Sequence, residues 1–239
     1  MTLRFGAAQT QSFGSTFGHA LTYAEAIHRM QRRKGTAIPY IGHLLGVASL
    51  VIGAGGTEVE AIAALLHDAA EDQGGEPRLR DIEREFGEDV ARIVEACSDS
   101  LTEDRIEKAD WLTRKLAYNA HLRSEMRESV LLVSVCDKAH NVSSMLADYA
   151  DIGETLWSRF NAGKVGTLLN YRALLAAFEA SPAPRVTGVA RTLRATLTAL
   201  EAASGAADDP ILGDGNRILD EHYRFDIARR PTASEPPKR

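Results

Sequence analysis

One segment of this sequence, residues 65–72, limits what the chain can fold into. It reads Leu-Leu-His-Asp-Ala-Ala-Glu-Asp, so an apolar helical stretch is followed at once by four ionisable side chains. Burying such groups costs free energy unless each has a partner. The fold must therefore bring further polar groups to the end of this helix, and a bound divalent metal ion would provide the pairing.

Apolar residues recur at three- and four-residue spacing along most of the chain, which predicts α-helices. The stretches with this spacing are residues 17–30, 40–52, 59–70, 82–96, 111–122, 130–146, 168–178 and 186–203. Thr57 followed by Glu60 fits a helix-capping box, and Gly87 fits a helix stop. The predicted fold class is all-α, a helical bundle with a C-terminal helical extension.

Residues 129–135 are the one stretch where a strand competes with a helix, because the run is rich in β-branched side chains. The polar residues that follow, among them Asp137 and Asn141, continue at helical spacing. We therefore predict a buried helix here.

The chain is predicted to divide near residue 180, where Ser-Pro-Ala-Pro interrupts the helical pattern. Residues 1–180 would form the main domain and residues 181–230 a helical extension. Residues 231–239 have the Pro, Ser, Glu and Lys content of a disordered tail.

Composition excludes several classes of protein. A net charge of -5 argues against a protein that binds polymeric nucleic acid. No apolar run approaches the ~20 residues of a membrane span, and the first residues lack a secretory pattern, so we expect a cytoplasmic protein without a membrane partner. The two cysteines, Cys97 and Cys136, have no metal-type spacing and are expected to be core residues.

Three predicted helices each contribute polar groups of the kind that bind metals. His67 and Asp68 end one helix, Asp137 emerges from a second that is strongly apolar, and His43 begins a third. Aspartate and histidine suit manganese, iron or zinc. An isolated His-Asp pair more often caps or pairs at a helix surface, but the two further polar groups favour an open catalytic metal site.

Two carboxylates follow the His-Asp pair by one helical turn. Glu71 lies one turn beyond His67, and Asp72 one turn beyond Asp68. Both would be near enough to a metal to orient a water molecule or accept its proton.

The ordered motifs of the chain resemble the HD-domain hydrolases, and among these the RelA/SpoT-type small alarmone hydrolases. The resemblance covers about residues 17–180. The matching segments, in chain order, are residues 32–35, 39–43, 63–72, 82–90 and 137–141.

The resemblance implies a role for each matching position. Four positions would bind one metal ion, namely His43, His67, Asp68 and Asp137. Two would position or activate the attacking water, namely Glu71 and Asp72. Five would contact the substrate, namely Arg32, Arg33, Lys34, Lys138 and Asn141.

The implied activity is metal-dependent removal of the 3′-pyrophosphate from the stringent-response alarmone (p)ppGpp or a relative of it. Mn²⁺ is the implied cofactor, with Fe²⁺ or Zn²⁺ left open. Because the family acts on several nucleotides, two alternatives also stay open: an HD phosphomonoesterase such as an NADPH 2′-phosphatase, and a weakly active nucleotide-binding regulatory module. The sequence leaves a homo-oligomer open as well.

Two further residues and one segment each have two interpretations. Tyr40 would either line the pocket or lie in the core, and His140 would lie either beside the metal ligands or in ordinary packing. Residues 157–164 resemble a late segment of the same hydrolases, which would bring Arg159 or Lys164 towards phosphate, although a helix turn explains that segment as well.

Overall fold

The structure, a computed structural model, describes residues 12–101 and 109–206. Within these ranges it contains no β-strand, and only an isolated bridge joins Arg32 to Pro39. The prediction of an all-α fold is confirmed. The helices are α1 (Ser15–His28), α2 (Ile41–Gly53), α3 (Glu58–Leu66), α4 (Ala69–Asp72), α5 (Gly75–Phe86), α6 (Glu88–Cys97), α7 (Trp111–Ser124), α8 (Glu128–Ile152), a 3₁₀ helix (Gly153–Arg159), α9 (Gly163–Glu179) and α10 (Pro184–Ala203).

Helix α8 is the centre of the bundle. Its residues 130–137 are all buried, and it packs against α2, α3, α6 and α10. The β-branched run 129–135 is helical, as predicted, because its side chains are enclosed by neighbouring helices. This arrangement places Asp137 inside the protein, where the apolar part of α8 ends.

Two stretches of helical spacing are each divided in the structure. The stretch 59–70 breaks at His67 and Asp68, so α3 ends at Leu66 and α4 starts at Ala69. The stretch 82–96 breaks at Gly87, whose φ of 90° lies in the left-handed region that favours glycine. The predicted helix stop at Gly87 is therefore confirmed, since α5 ends at Phe86 and α6 starts at Glu88.

The capping box at the start of α3 is present. The Thr57 hydroxyl accepts a hydrogen bond from the Glu60 N–H, and a carboxylate oxygen of Glu60 accepts one from the Thr57 N–H. Reciprocal bonds of this kind satisfy two N–H groups that the first turn leaves unpaired.

Helix α10 packs along α8, and its buried residues belong to the same core as those of α8. The predicted domain division near residue 180 stays a prediction, as does the cytoplasmic location. In the ranges described, no helix is long and apolar enough to span a bilayer. The predicted tail 231–239 and residues 207–230 of the predicted extension lie outside the described residues.

Candidate metal centre

Three regions of the fold bring four predicted metal ligands to one place. His43 lies in the first turn of α2, His67 and Asp68 lie at the break between α3 and α4, and Asp137 lies in the middle of α8. The break after Leu66 turns the His-Asp pair towards α8. The two histidines are each 2% exposed.

The distances between these side chains are short. The Nε2 atom of His43 lies 3.2 Å from Oδ1 of Asp137 and 3.5 Å from Oδ2 of Asp68. The Nε2 atom of His67 lies 3.0 Å from Oδ2 of Asp68 and 3.6 Å from Oδ1 of Asp137. Each imidazole nitrogen therefore faces both carboxylates.

The cluster fits a divalent cation. Neither His43 Nε2 nor His67 Nε2 makes a hydrogen bond of acceptable geometry, although both are buried. The ligand atoms of His43, His67 and Asp68 lie within 4.8 Å of one another. Metal bonds of about 2.0–2.2 Å place neighbouring ligands about 3.0–3.5 Å apart, which matches the separations between nitrogen and oxygen atoms here.

The charges of the cluster also favour a cation. Burial opposes a charged imidazole at His67, but the carboxylates of Asp68 and Asp137 outweigh burial and raise the His67 pKa well above its usual value. Burial would raise the pKa of Asp137, yet Lys138 and the two histidines lower it well below the usual value. The carboxylates therefore stay charged, and they would stabilise a positive charge located between them and the imidazoles.

A second set of groups orients both histidines. His43 Nδ1 lies 3.0 Å from His140 Nδ1, and His67 Nδ1 lies 2.8 Å from the main-chain oxygen of Ala64. Burial and the neighbouring His43 lower the pKa of His140 to about 4, so its ring is neutral near pH 7. Partners of this kind fix the ring orientation and tautomer of a metal-binding histidine.

Hydrogen bonds orient the two aspartates as well. The Tyr40 hydroxyl donates to Oδ2 of Asp68 at 2.5 Å. Asn141 and Lys138 donate to the two carboxylate oxygens of Asp137, each at 2.5 Å. Lys138 and Asn141, which the sequence placed among the substrate contacts, therefore touch a candidate metal ligand.

Glu71 lies beside the cluster in a less exposed position than Asp72. One Glu71 carboxylate oxygen accepts a hydrogen bond from the main-chain N–H of Asp99 at 3.2 Å, and the other lies 3.9 Å from Arg114. Burial, together with the Asp99 carboxylate, raises the pKa of Glu71 to about 7. A carboxylate with this pKa suits a general base near neutral pH.

Asp72 is exposed at the mouth of the site. The side-chain amide of Gln31 donates to Oδ2 of Asp72 at 2.8 Å. The same glutamine accepts hydrogen bonds from Gln73 and faces the His28 ring. Asp72 is therefore held by the segment that follows α1.

Two cavities meet at the cluster. The smaller, of about 290 Å³, is lined by polar and aromatic groups that include Glu71, Tyr118 and Tyr171. The larger, of about 520 Å³, is lined by Arg32, Arg33, Lys34, His140 and Arg159. Five residues line both cavities, namely Lys34, Tyr40, Asp72, Asn141 and Phe160. Together the cavities can receive a ligand with an extended polyphosphate.

Arg32, Arg33 and Lys34 form the basic run that was predicted to contact the substrate, and the three residues have different partners. Arg33 donates to the side-chain oxygen of Asn141 at 2.8 Å, whereas Arg32 donates to main-chain oxygens of Arg29 and Gln31. Lys34 lines both cavities. The predicted run therefore borders the metal cluster.

Of the two cations in residues 157–164, only Arg159 lines either of the two cavities at the cluster. Arg159 lines the larger cavity and pairs with Asp148 at 2.5 Å. Lys164 contacts the main-chain oxygen of Ser204 and the carboxylate of Glu154. The structure therefore directs Lys164 away from the site.

Sequence reasoning missed the group around Asp99. The Asp99 side chain is 3% exposed and pairs with Arg114 at 2.5 Å and Lys115 at 2.6 Å. An acidic residue just after α6 and two cations early in α7 are the only sequence signals, and neither specifies the contact. The Tyr40 hydroxyl bond to Asp68 was likewise not predicted, although Tyr40 was weighed as a pocket residue.

A profile of the HD domain family matches residues 20–168 of this chain. Relatives that carry the name guanosine-3′,5′-bis(diphosphate) 3′-pyrophosphohydrolase MESH1 include the two that follow. The Xenopus tropicalis protein is 34% identical over 129 residues, which is 53% of this chain and 67% of that protein. The Homo sapiens protein is 33% identical over 129 residues, with the same coverage of 53% and 67%.

A solved structure has the same fold. It is described as a metazoan orthologue of SpoT that hydrolyses ppGpp. The superposition has a TM-score of 0.60 at 22% identity and covers 82% of this chain and 99% of that one. At this identity the likeness establishes the fold alone.

Proposed function

This chain belongs to the HD domain family, and we propose that it is a metal-dependent phosphohydrolase that removes the 3′-pyrophosphate from (p)ppGpp or a related alarmone. One observation carries the proposal. Two buried imidazole nitrogens without hydrogen bonds face two carboxylates, at the junction of two cavities that arginine and lysine side chains border. The names of the two relatives support the same substrate class.

We propose His43, His67, Asp68 and Asp137 as the ligands of the metal, and Mn²⁺ as the metal, with Fe²⁺ or Zn²⁺ as alternatives. Nitrogen and oxygen ligands without thiolate suit these ions. Bound there, the divalent ion would supply Lewis acidity that polarises a phosphate oxygen and acidifies a water molecule.

Glu71 is the proposed general base. A water oxygen attacks the phosphorus that is bonded to the ribose 3′-oxygen, and a carboxylate oxygen of Glu71 accepts the water's proton. The bond between phosphorus and the 3′-oxygen breaks, and the 3′-oxygen takes a proton from solvent water and leaves as a hydroxyl, while Glu71 releases to solvent the proton that it accepted. The Asp99 N–H holds the Glu71 carboxylate in place during this step.

The remaining proposed residues bind and orient. Asp72, which Gln31 holds at the mouth of the site, helps to orient the water. Arg32, Arg33 and Lys34 bind the phosphates, because charge-assisted hydrogen bonds to phosphate are strong and directional. Asn141 and Lys138 donate hydrogen bonds to Asp137 and also line the smaller cavity, and so they connect nucleotide binding with the metal site.

The test is product identification with the purified chain and Mn²⁺. The substrates are ppGpp, pppGpp, an adenosine counterpart and NADPH, and His67→Ala serves as the matched inactive variant. We expect pyrophosphate and GDP from ppGpp. Orthophosphate released from NADPH alone would indicate the phosphomonoesterase, and tight binding without turnover would indicate a regulatory module. No release from any substrate, without binding, would overturn the proposal.

A further inference from the structure

The ring of His140 contacts the side chain of His43 and lies against the backbone of α2 at Gly46. Its Nδ1 atom lies 3.0 Å from His43 Nδ1, and the two ring centroids are 4.9 Å apart at an interplanar angle of 59°. The short distance between nitrogens and the tilt of the rings describe a hydrogen bond rather than a stacked pair.

Gly46 makes this position available to the ring. Gly46 lies on α2, about one turn after His43, and a Cβ atom at residue 46 would lie 2.1 Å from Nε2 and 2.2 Å from Cδ2 of His140. The φ of Gly46 is not positive, so its backbone conformation does not require glycine. A glycine inside a helix costs about 1 kcal/mol relative to alanine. Close approach of the His140 ring is therefore the feature that requires glycine here.

The proposed metal site sets the direction of the hydrogen bond. If His43 binds the metal through Nε2, which faces Asp68 and Asp137, its proton must be on Nδ1. His43 Nδ1 then donates to Nδ1 of His140, and the His140 proton is on Nε2. This hydrogen bond would fix both the tautomer and the orientation of the His43 ring.

We infer that His140 is a positioning residue that holds His43 in its metal-binding orientation, and that Gly46 admits the His140 ring. The inference rests on the metal site of the proposed function. It assigns His140 no contact with the metal. A variant with an acceptor in the place of Nδ1 should preserve the function of the ring.

The test measures Mn²⁺ affinity of the full chain by competition with a fluorescent chelator, without nucleotide. His140→Ala should weaken binding about 10–100-fold, the usual cost of removing the partner of a metal-bound histidine. His140→Asn should restore most of the affinity, because its amide oxygen replaces the Nδ1 acceptor. Gly46→Ala should weaken binding to a similar extent. Gly53→Ala is the matched control on the same helix, since its Cβ would meet no atom within 4 Å.

The double variant Gly46→Ala/His140→Ala separates the two roles. It should bind Mn²⁺ no more weakly than His140→Ala alone, because the ring that the new Cβ would displace is absent. Further weakening would show that Gly46 acts independently of His140 and would overturn that part of the inference.

The remaining outcomes distinguish this inference from the proposed function. Failure of the unaltered chain to bind Mn²⁺, Fe²⁺ or Zn²⁺ would remove the metal site itself. Unaltered Mn²⁺ affinity in His140→Ala, with a metal-binding parent chain, would overturn only the positioning role and leave His140 as a cavity residue. Circular dichroism checks folding, and if His140→Ala does not fold, the comparison of His140→Asn with Gly46→Ala decides the question.

Discussion

Arg185 of α10 donates hydrogen bonds to both carboxylate oxygens of Glu60 of α3, at 2.9 and 3.1 Å. Glu60 is 2% exposed and also accepts hydrogen bonds from the Thr57 N–H and the Ser129 hydroxyl. Burial would raise the pKa of Glu60, but these donors outweigh burial and lower it. The carboxylate is therefore charged, and Arg185 of α10 neutralises the glutamate of the α3 capping box.

We expect Arg185→Ala to destabilise the protein by about 3 kcal/mol, because it leaves a buried carboxylate without its cation. The free energy of unfolding in urea measures this effect. The matched control is Arg194→Ala on the same helix, which breaks a pair between an exposed arginine and half-buried Glu179 and should cost less than about 1 kcal/mol. Equal effects of the two substitutions would contradict a structural role for the buried pair.

The same pair predicts a dependence of stability on pH. Because folding lowers the Glu60 pKa, the stabilisation is present above the unfolded value near 4.5 and is lost as the pH falls through the folded value. The difference in unfolding free energy between the parent and Arg185→Ala should shrink in acid. A constant difference from pH 7 to pH 3 would show that the charge of Glu60 does not matter.

Single substitutions of the buried His-Asp pair test the metal site. His67→Ala or Asp68→Ala should abolish bound metal and turnover together while the helical content stays near that of the parent, since an open catalytic site contributes less to folding than a closed structural one. Metal content by elemental analysis and circular dichroism provide the measurements. His19→Ala, which alters a half-exposed histidine on α1, is the control. Full metal occupancy in both site variants would show that neither residue is a ligand.

Glu71→Gln should lower kcat about 10²–10⁴-fold while metal and nucleotide still bind, because the amide keeps the shape of the carboxylate but accepts no proton. In the parent, activity should rise with pH as Glu71 loses its proton, with a midpoint near 7, since burial and the Asp99 carboxylate raise its pKa to about 7. The activity of Glu71→Gln should not show this rise with pH. Unchanged turnover would transfer the proton-accepting role to Asp72.

Replacement of Arg32, Arg33 or Lys34 with alanine should weaken nucleotide binding and make the remaining affinity less sensitive to salt. We expect the largest effect at Arg33, because its loss also releases the Asn141 side chain that it holds at 2.8 Å. Titration of each variant with ppGpp and with guanosine is the measurement. An equal penalty for both ligands would show that the run does not contact phosphate.

The meeting of His67, Asp68 and Asp137 at the candidate metal site was largely predictable from the sequence because its signal is local. His67-Asp68 and Asp137 interrupt apolar helices, and an unpaired charge in such a helix requires a partner wherever the helix packs. The helical periodicity likewise identified the elements, and Gly87 marked a helix end. The order of the motifs along the chain also indicated the resemblance of this sequence to one family.

Tertiary structure alone decided which side chains touch. Gly46 and His140 are in contact although α2 and α8 are far apart in sequence. Asp99, which follows α6, pairs with Arg114 and Lys115 of α7. The sequence also did not predict the break in the helix at His67 and Asp68, because the apolar spacing continues through these residues. Periodicity records which face of a helix is buried, whereas the partner of a buried polar group depends on how helices pack, and packing is set by all the side chains of the core together.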